Sequence, residues 1–310
     1  MSLLVVGSIA FDSVRTPYGE VREVLGGSAA YCALAASYFT PVRVVAVVGD
    51  DFGDASMAAL RRRDIDLSGI EVRQGRTFRW SGVYSDDLNE RTTLSTELNV
   101  FESFQPKIRQ QDVGIPNLFL GNIDPDLQRR VLGDVRPGFA ACDTMNFWIE
   151  GKNDSLKRLL GGVDGLVIND SEARLLAGEL NTVVAARRLL ALGLRFLVIK
   201  RGEYGAALFA GGHYFAIPAY PVERPVDPTG AGDSFAGGFM GHLARRGVTG
   251  GALREAMIYG SVMASFCVED FSLRRLQDLT QETIETRAVE LRQFLSMDEP
   301  PAPSRAPATR

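Results

Sequence analysis

The chain has 310 residues, with 34 Lys and Arg against 38 Asp and Glu, a formal charge of −4, and 45% hydrophobic and 23% charged residues. This is the profile of a folded globular protein long enough for one large core or two smaller ones, so disorder is excluded as its main character. The acidic balance argues against nucleic acid as a partner, whereas a small anionic ligand needs only a local site.

Cys32, Cys142 and Cys267 are scattered and form no CxxC pair, which argues against a disulfide framework or a zinc ribbon. His213 and His242 are the only histidines, too few for a multi-histidine metal site. The first apolar run, 3–9, has no basic residues before it and is too short for a signal peptide. No stretch approaches the ~18 apolar residues of a membrane span. The expectation is a cytoplasmic protein with no membrane contact.

In chain order, the run 3–9 predicts a strand, and 13–25 is an irregular polar excursion containing Pro17 and Gly19. A helix near 29–38, a strand at 42–48 and a helix at 54–63 follow. The block 77–100 holds two β-branched and aromatic runs split by Ser85-Asp86-Asp87-Leu88-Asn89, which predicts a hairpin. Further strands are expected at 118–120, 139–143, 165–169 and 196–200, with helices at 153–160 and 182–192. Three helices, 233–245, 251–267 and 280–294, close the fold. The tail around Pro300-Pro301-Ala302-Pro303 is proline-rich and expected to be disordered.

Strands such as Val44-Val45-Ala46-Val47-Val48 are apolar on both faces, as strands covered by helices on both sides must be. The fold class is therefore α/β, in three layers around a mostly parallel sheet. The expected division is an α/β domain from 1–12, 26–76 and 101–298, a β lid from 13–25 and 77–100, and a tail at 299–310. A long insertion at the rim of such a sheet favours a lid over an idle excursion.

The chemistry concentrates in Asp227-Pro228-Thr229-Gly230-Ala231-Gly232-Asp233-Ser234-Phe235. A loop of small residues runs directly into a helix. Its first-turn N–H groups stay unshielded, and the helix dipole adds about half a positive charge. This is an anion site with no lysine in the loop. Asp233 places a carboxylate at the same end, either to complement the dipole or to take a proton from a substrate hydroxyl. A Walker A loop is absent, because the only Gly-Lys pair, Gly151-Lys152, precedes Asn153. The dinucleotide fingerprint fails because Phe235 stands where its last glycine belongs.

Asp-x-Thr-Gly-Ala-Gly-Asp followed by Ser-Phe-x-Gly-Gly-Phe resembles the C-terminal signature of the ribokinase-like (PfkB) family of carbohydrate and nucleoside kinases. Leu25-Gly26-Gly27-Ser28-Ala29-Ala30 and Val48-Gly49-Asp50-Asp51-Phe52-Gly53 resemble its N-terminal segments. The resemblance runs from residue 1 to about 295. It implies a ribokinase-like fold with a small β lid, and transfer of the γ-phosphoryl group of ATP to a hydroxymethyl group of a sugar or nucleoside. By the same resemblance Asp233 is the base, and Gly230, Ala231 and Gly232 form the anion hole. Asp12, Gly26 and Gly27 would hold substrate. Tyr31 stands where the family usually has a substrate-binding asparagine.

Asn169 and Glu172 fit the family's Asn-x-x-Glu motif for magnesium and nucleotide, although the same spacing is a helix capping box. Lys200, Gly202 and Gly205 would lie beside the nucleotide, with 261–271 near the adenine. Asp227 and Thr229 fall where relatives hold a monovalent cation such as K+. A homodimer through the lid is a further implication. Trp80 and Tyr84, in the lid block, are candidates for stacking on substrate or for cross-strand packing. Two other readings stand beside the kinase. One is a nucleotide-dependent oxidoreductase, which the missing fingerprint disfavours. The other is a catalytically silent sugar- or nucleoside-binding regulator on the same fold.

Overall fold

Every side chain of Leu3–Val6 (β1) is buried, yet alternate residues enter different cores, Leu3 and Val5 one, Leu4 and Val6 the other. A strand apolar on both faces must be covered on both sides, and this alternation fixes a three-layer fold. The computed structural model describes residues 2–61 and 63–296, so the tail expected at 299–310 lies outside the described residues.

After β1 come β2 (Ala10–Thr16), β3 (Gly19–Gly26), α1 (Ser28–Ala36), β4 (Val42–Gly49), α2 (Asp54–Arg61), β5 (Asp66–Arg73), β6 (Phe78–Tyr84) and β7 (Arg91–Glu97). The middle of the chain forms β8 (Asn117–Leu120), α3 (Pro125–Val135), β9 (Phe139–Cys142), α4 (Asn146–Gly151), α5 (Asn153–Leu160), β10 (Gly165–Asn169), α6 (Asp170–Ala177) and α7 (Thr182–Leu190). It closes with β11 (Phe196–Lys200), β12 (Ala206–Ala210), β13 (His213–Ile217), α8 (Ala231–Arg246), α9 (Gly250–Cys267), α10 (Arg274–Gln277) and α11 (Gln281–Gln293).

The main sheet runs β13-β12-β11-β10-β9-β8-β1-β4-β5, parallel from β11 to β5, with β12 and β13 added as an antiparallel edge hairpin. Helices α1, α8, α9 and α11 cover one face, and α3 to α7 the other. Helix α8 lies close on both α1 and α9 because Gly237 and Gly238 leave no side chain to meet the Cys32 and Tyr259 carbonyls. The second sheet, β3-β2-β6-β7, joins two antiparallel hairpins through a parallel β2–β6 pairing.

The expected hairpin at 77–100 is present as β6 and β7, and 13–25 contributes to a second hairpin, β2 and β3. The strand expected at 3–9 stops at Val6, because the chain leaves the main sheet and enters the small one at Ala10. Sequence reasoning missed β5, whose residues are mostly only partly buried, and α3, despite its Asp124 cap and Pro125 at the first helical position. It also missed β12 and β13. No helix among the described residues is long and apolar enough to cross a membrane.

Strands β1, β8, β9, β10 and β11 are parallel neighbours, so their carboxyl ends share one rim. Gln128 of α3, fully buried, ties that rim together. Its Nε2 donates to the carbonyls of Leu120 at 3.3 Å, Gly121 at 2.8 Å and Asp143 at 3.0 Å. Gln128→Met should destabilise the fold by ~1–3 kcal/mol, the cost of leaving buried carbonyls unpaired. Chemical denaturation measures this; an unchanged midpoint would show that the amide is dispensable.

Candidate active site

The loop into α8 is built by its own first residues. The backbone N–H of Thr229 donates to Asp227 Oδ1 at 2.9 Å, and Gly230 then adopts φ 77°, a left-handed conformation suited to glycine. A side chain there would also strike the ring of Tyr31. The end of α9 braces the loop from behind: Val226 N–H donates to the Val268 carbonyl at 2.6 Å, and Cys267 Sγ to the Thr229 carbonyl at 3.4 Å. Residues 261–271, expected near the adenine, thus abut the loop. The open first turn of α8 is consequently rigid and carries the positive end of the helix dipole.

Asp233 sits in that first turn among charged groups from several elements. Burial, and next the nearby Asp143, push its carboxyl up to about 7, against the pull of Lys200 and Arg91. Lys200, at the end of β11, donates from Nζ to Asp143 Oδ2 at 3.1 Å. A Cβ placed on Gly232 would stand 2.9 Å from that Nζ, so the ammonium lies against the glycine loop. The loop itself has no lysine, and Lys200, expected beside the nucleotide, reaches it from the end of β11. The three neighbouring carboxylates, Asp143 first, hold Lys200 protonated although burial opposes it.

Glu172 joins the same group. Asn169 Oδ1 accepts from Glu172 N–H at 2.8 Å and Glu172 Oε2 from Asn169 N–H at 3.2 Å, so the capping box alternative is formed. Burial, followed by Asp143, raises the Glu172 carboxyl to about 7. One glutamate with a carboxylate oxygen outside the cap suits magnesium, which keeps most of its water and phosphate ligands. Among the described residues no cluster of three His, Cys, Asp or Glu could hold a metal by itself.

Asp12 lies on β2, only 5% exposed, and packs so tightly on Gly26 that any side chain there would collide with its carboxylate. Burial, then Asp227 and Asp233, raise its carboxyl to about 7. Gly27, at φ 94°, presses on the backbone of Ser8 and Ile9 as the chain enters α1. Asp12 and Trp80 are partners in the parallel β2–β6 ladder and therefore share a face of the small sheet. Among the described residues Asp227 Oδ2 is buried with no hydrogen-bond partner, an orphan that a monovalent cation would satisfy, and burial raises this carboxyl.

Two expected residues stand differently. Tyr31 is 1% exposed, its ring packed beneath Gly230, so it supports the loop instead of facing an open pocket. Tyr84, a candidate for stacking on substrate, is tied by its hydroxyl, which accepts from Thr229 Oγ1 at 3.1 Å and links the small sheet to the loop. Gly202 and Gly205 have φ 56° and 87° and form the turn after Lys200, with Gly205 pressed on the backbone of Ile217 and Pro218. Sequence reasoning missed Asp143 and Arg91. Asp143 carried a usable signal, a carboxylate just past the end of a parallel strand. Arg91 carried none, because only the fold brings the turn end of the hairpin, where Arg91 pairs with Tyr84, toward these carboxylates.

A family model described as pfkB family carbohydrate kinase matches residues 141–278. A nucleoside kinase of Methanothermobacter thermautotrophicus is 34% identical over 290 residues, covering 86% of this chain and 89% of the relative. A cytidine kinase of Thermococcus kodakarensis is 28% identical over 252 residues, covering 79% of this chain and 89% of the relative. In fold, the chain is similar to the Burkholderia thailandensis nucleoside kinase in complex with inosine, with TM-score 0.77 at 20% identity, covering 93% of this chain and 98% of that one.

Asp12 and Asp233 have carboxyls raised from 3.8 to about 7 in the fold, so between those values the native state binds more protons than the unfolded one. Stability therefore falls as pH rises through that window. Asp12→Asn and Asp233→Asn should each be more stable than the wild type at pH 8. Asp233 keeps a water-accessible edge, so ~2 kcal/mol is the scale expected of each. The advantage should shrink toward pH 5. Melting curves at the two pH values measure it, and variants less stable than the wild type at pH 8 would contradict it.

Proposed function

The chain belongs to the pfkB family of carbohydrate kinases, phosphotransferases acting on an alcohol group, and on that premise we propose its reaction. The γ-phosphoryl group of ATP passes to a hydroxymethyl group of a sugar or nucleoside, with Asp233 as the base. The observation that carries this reading is a half-buried aspartate, poised near neutrality, in the first turn of a helix whose glycine loop can hold an anion.

Each residue then has a task. Asp12 accepts hydrogen bonds from substrate hydroxyls, against the bare backbone of Gly26 and Gly27. Asp233 takes the proton of the reacting hydroxyl. The N–H groups of Gly230 and Gly232 face the charge that develops on the phosphoryl oxygens, while Ala231, whose N–H donates to the Pro228 carbonyl at 3.1 Å, holds the shape of the anion hole between them. The small sheet is the lid, and its Tyr84–Thr229 hydrogen bond of 3.1 Å closes it on the loop. Closure excludes water that would otherwise compete for the phosphoryl group.

Magnesium, when bound, would screen the phosphate charge, with Glu172 as its protein carboxylate and Asn169 beside it. Asp227 and Thr229 would take K+ at the orphaned Oδ2. Gly202 and Gly205 shape the turn that would border the nucleotide. The two relatives named above are nucleoside kinases, and Trp80 beside Asp12 offers a base something to stack on, which favours a nucleoside over a free sugar. We extend the proposal to a homodimer through the lid, whose strand β7 is exposed along its length with Leu94 outward.

Asp233→Asn should lower kcat by roughly 10³-fold or more while leaving ADP binding within a few-fold of wild type. Parallel loss of both would make Asp233 a structural residue. In the wild type, kcat/KM should climb as pH rises through about 7, because Asp12 and Asp233 must be ionised to accept hydrogen bonds and protons. Glu172→Gln can still cap α6, so it should raise the magnesium concentration for half-maximal rate with little change in melting temperature. A drop in melting temperature with no magnesium effect would leave only the capping role.

A further inference from the structure

Lys200 has more to do than balance a salt bridge. Its side chain is 16% exposed and that of Asp143 8%, and their 3.1 Å contact is the one hydrogen bond of the ammonium among the described residues. An ammonium has three N–H donors, so two are left over. They lie at the glycine loop, since the space where Gly232 would carry a Cβ ends 2.9 Å from Nζ. A side chain at Gly232 would push the ammonium away from the first turn of α8. The other charged groups of this cluster on the sheet side, Asp143, Glu172 and Asp233, are all acidic, and all three act on Lys200. Arg91 acts on Glu172 and Asp233 from the small sheet, so on the sheet side Lys200 is the cation that offsets their repulsion of a phosphate.

We infer that Lys200 is a catalytic residue that donates its free N–H groups to the transferring phosphoryl group, and that Asp143 is the positioning residue that aims it at the loop. This rests on the kinase reading and deepens it. In the step, the substrate hydroxyl oxygen bonds to the γ-phosphorus and its proton goes to Asp233. The bond from that phosphorus to the bridging oxygen breaks, with the electron pair leaving on ADP. Lys200 keeps its protons throughout and follows the equatorial oxygens, where charge accumulates. Asp143, held by Thr144 N–H on Oδ1 at 2.7 Å and through its carbonyl by Gln128, is fixed well enough to serve as the anchor.

The test is ADP affinity by calorimetry, in magnesium buffer, with and without tetrafluoroaluminate as the mimic of the phosphoryl group in flight. The wild type should bind ADP at least about tenfold more tightly with the mimic, and Lys200→Met should lose that gain while binding ADP alone as before. Lys200→Arg should recover part of it, and Asp143→Asn should fall between. In turnover, Lys200→Met should lower kcat by ~10²–10³-fold with a much smaller change in the ATP KM. A gain retained in Lys200→Met overturns the inference, and so does equal loss of ADP binding alone, which would mean ground-state binding. Should Lys200→Met not fold, Asp143→Asn decides, since an unchanged gain there removes the positioning role. A wild type that turns over acceptors yet shows no gain sinks this inference and leaves the kinase reading intact. Absence of turnover with the gain present removes the kinase reading, and this inference with it.

Discussion

Four acids and one lysine crowd the rim where parallel strands end and a glycine loop starts a helix. Asp12, Asp143, Glu172 and Asp233 are all largely withdrawn from water, and burial alone is enough to make the ionised form of three of them costly. The fold tolerates this because Lys200 and the positive end of α8 lie among them. It also tolerates it because burial raises the carboxyls of Asp12, Glu172 and Asp233, which eases the charge among them. A surface optimised for stability would not gather these groups. Their cost leaves Asp233 with a carboxyl raised to about 7, and leaves Lys200 a single hydrogen bond, to Asp143, among the described residues.

The scaffold serves that cluster at each level. Burial of β1 on both faces forces helices onto both sides of the sheet, which leaves the strand ends as the open rim. Gln128 fastens two of those ends from below, and α9 fastens the glycine loop from behind. Tyr31 fills the space under Gly230, so that loop cannot collapse inward. The small sheet brings Asp12 and Trp80 on one face and anchors itself through Tyr84.

Much of this was legible in the sequence, for stated reasons. The glycine loop of Gly230 to Gly232 running into a helix at Asp233 was readable from its small residues, and α8 starts there, although the loop and helix alone left both the dipole and the proton-accepting reading of Asp233 open. Asp12 and the hairpin at 77–100 were readable from position and from β-branched content. The capping box at Asn169 and Glu172 was readable as spacing, although spacing could not choose between cap and metal ligand. Tyr31 was not legible: substitution at a substrate position looks like altered contact, whereas the larger ring had turned under the loop. Asp143 and Arg91 depend on which strands become neighbours and how far the lid folds over, information held by long-range pairing alone. The half-buried strand β5 escaped because only partial burial blurs its period.

The most direct measurement is ADP release from Mg-ATP, with the phosphorylated product identified, across pentoses, hexoses, their acids and nucleosides. The account predicts turnover with one class of primary alcohol, nucleosides foremost, and a phosphate ester at the hydroxymethyl oxygen. ATP bound with no acceptor consumed, or hydrolysed to free phosphate regardless of acceptor, would contradict it, because Asp233 would then have no hydroxyl to deprotonate.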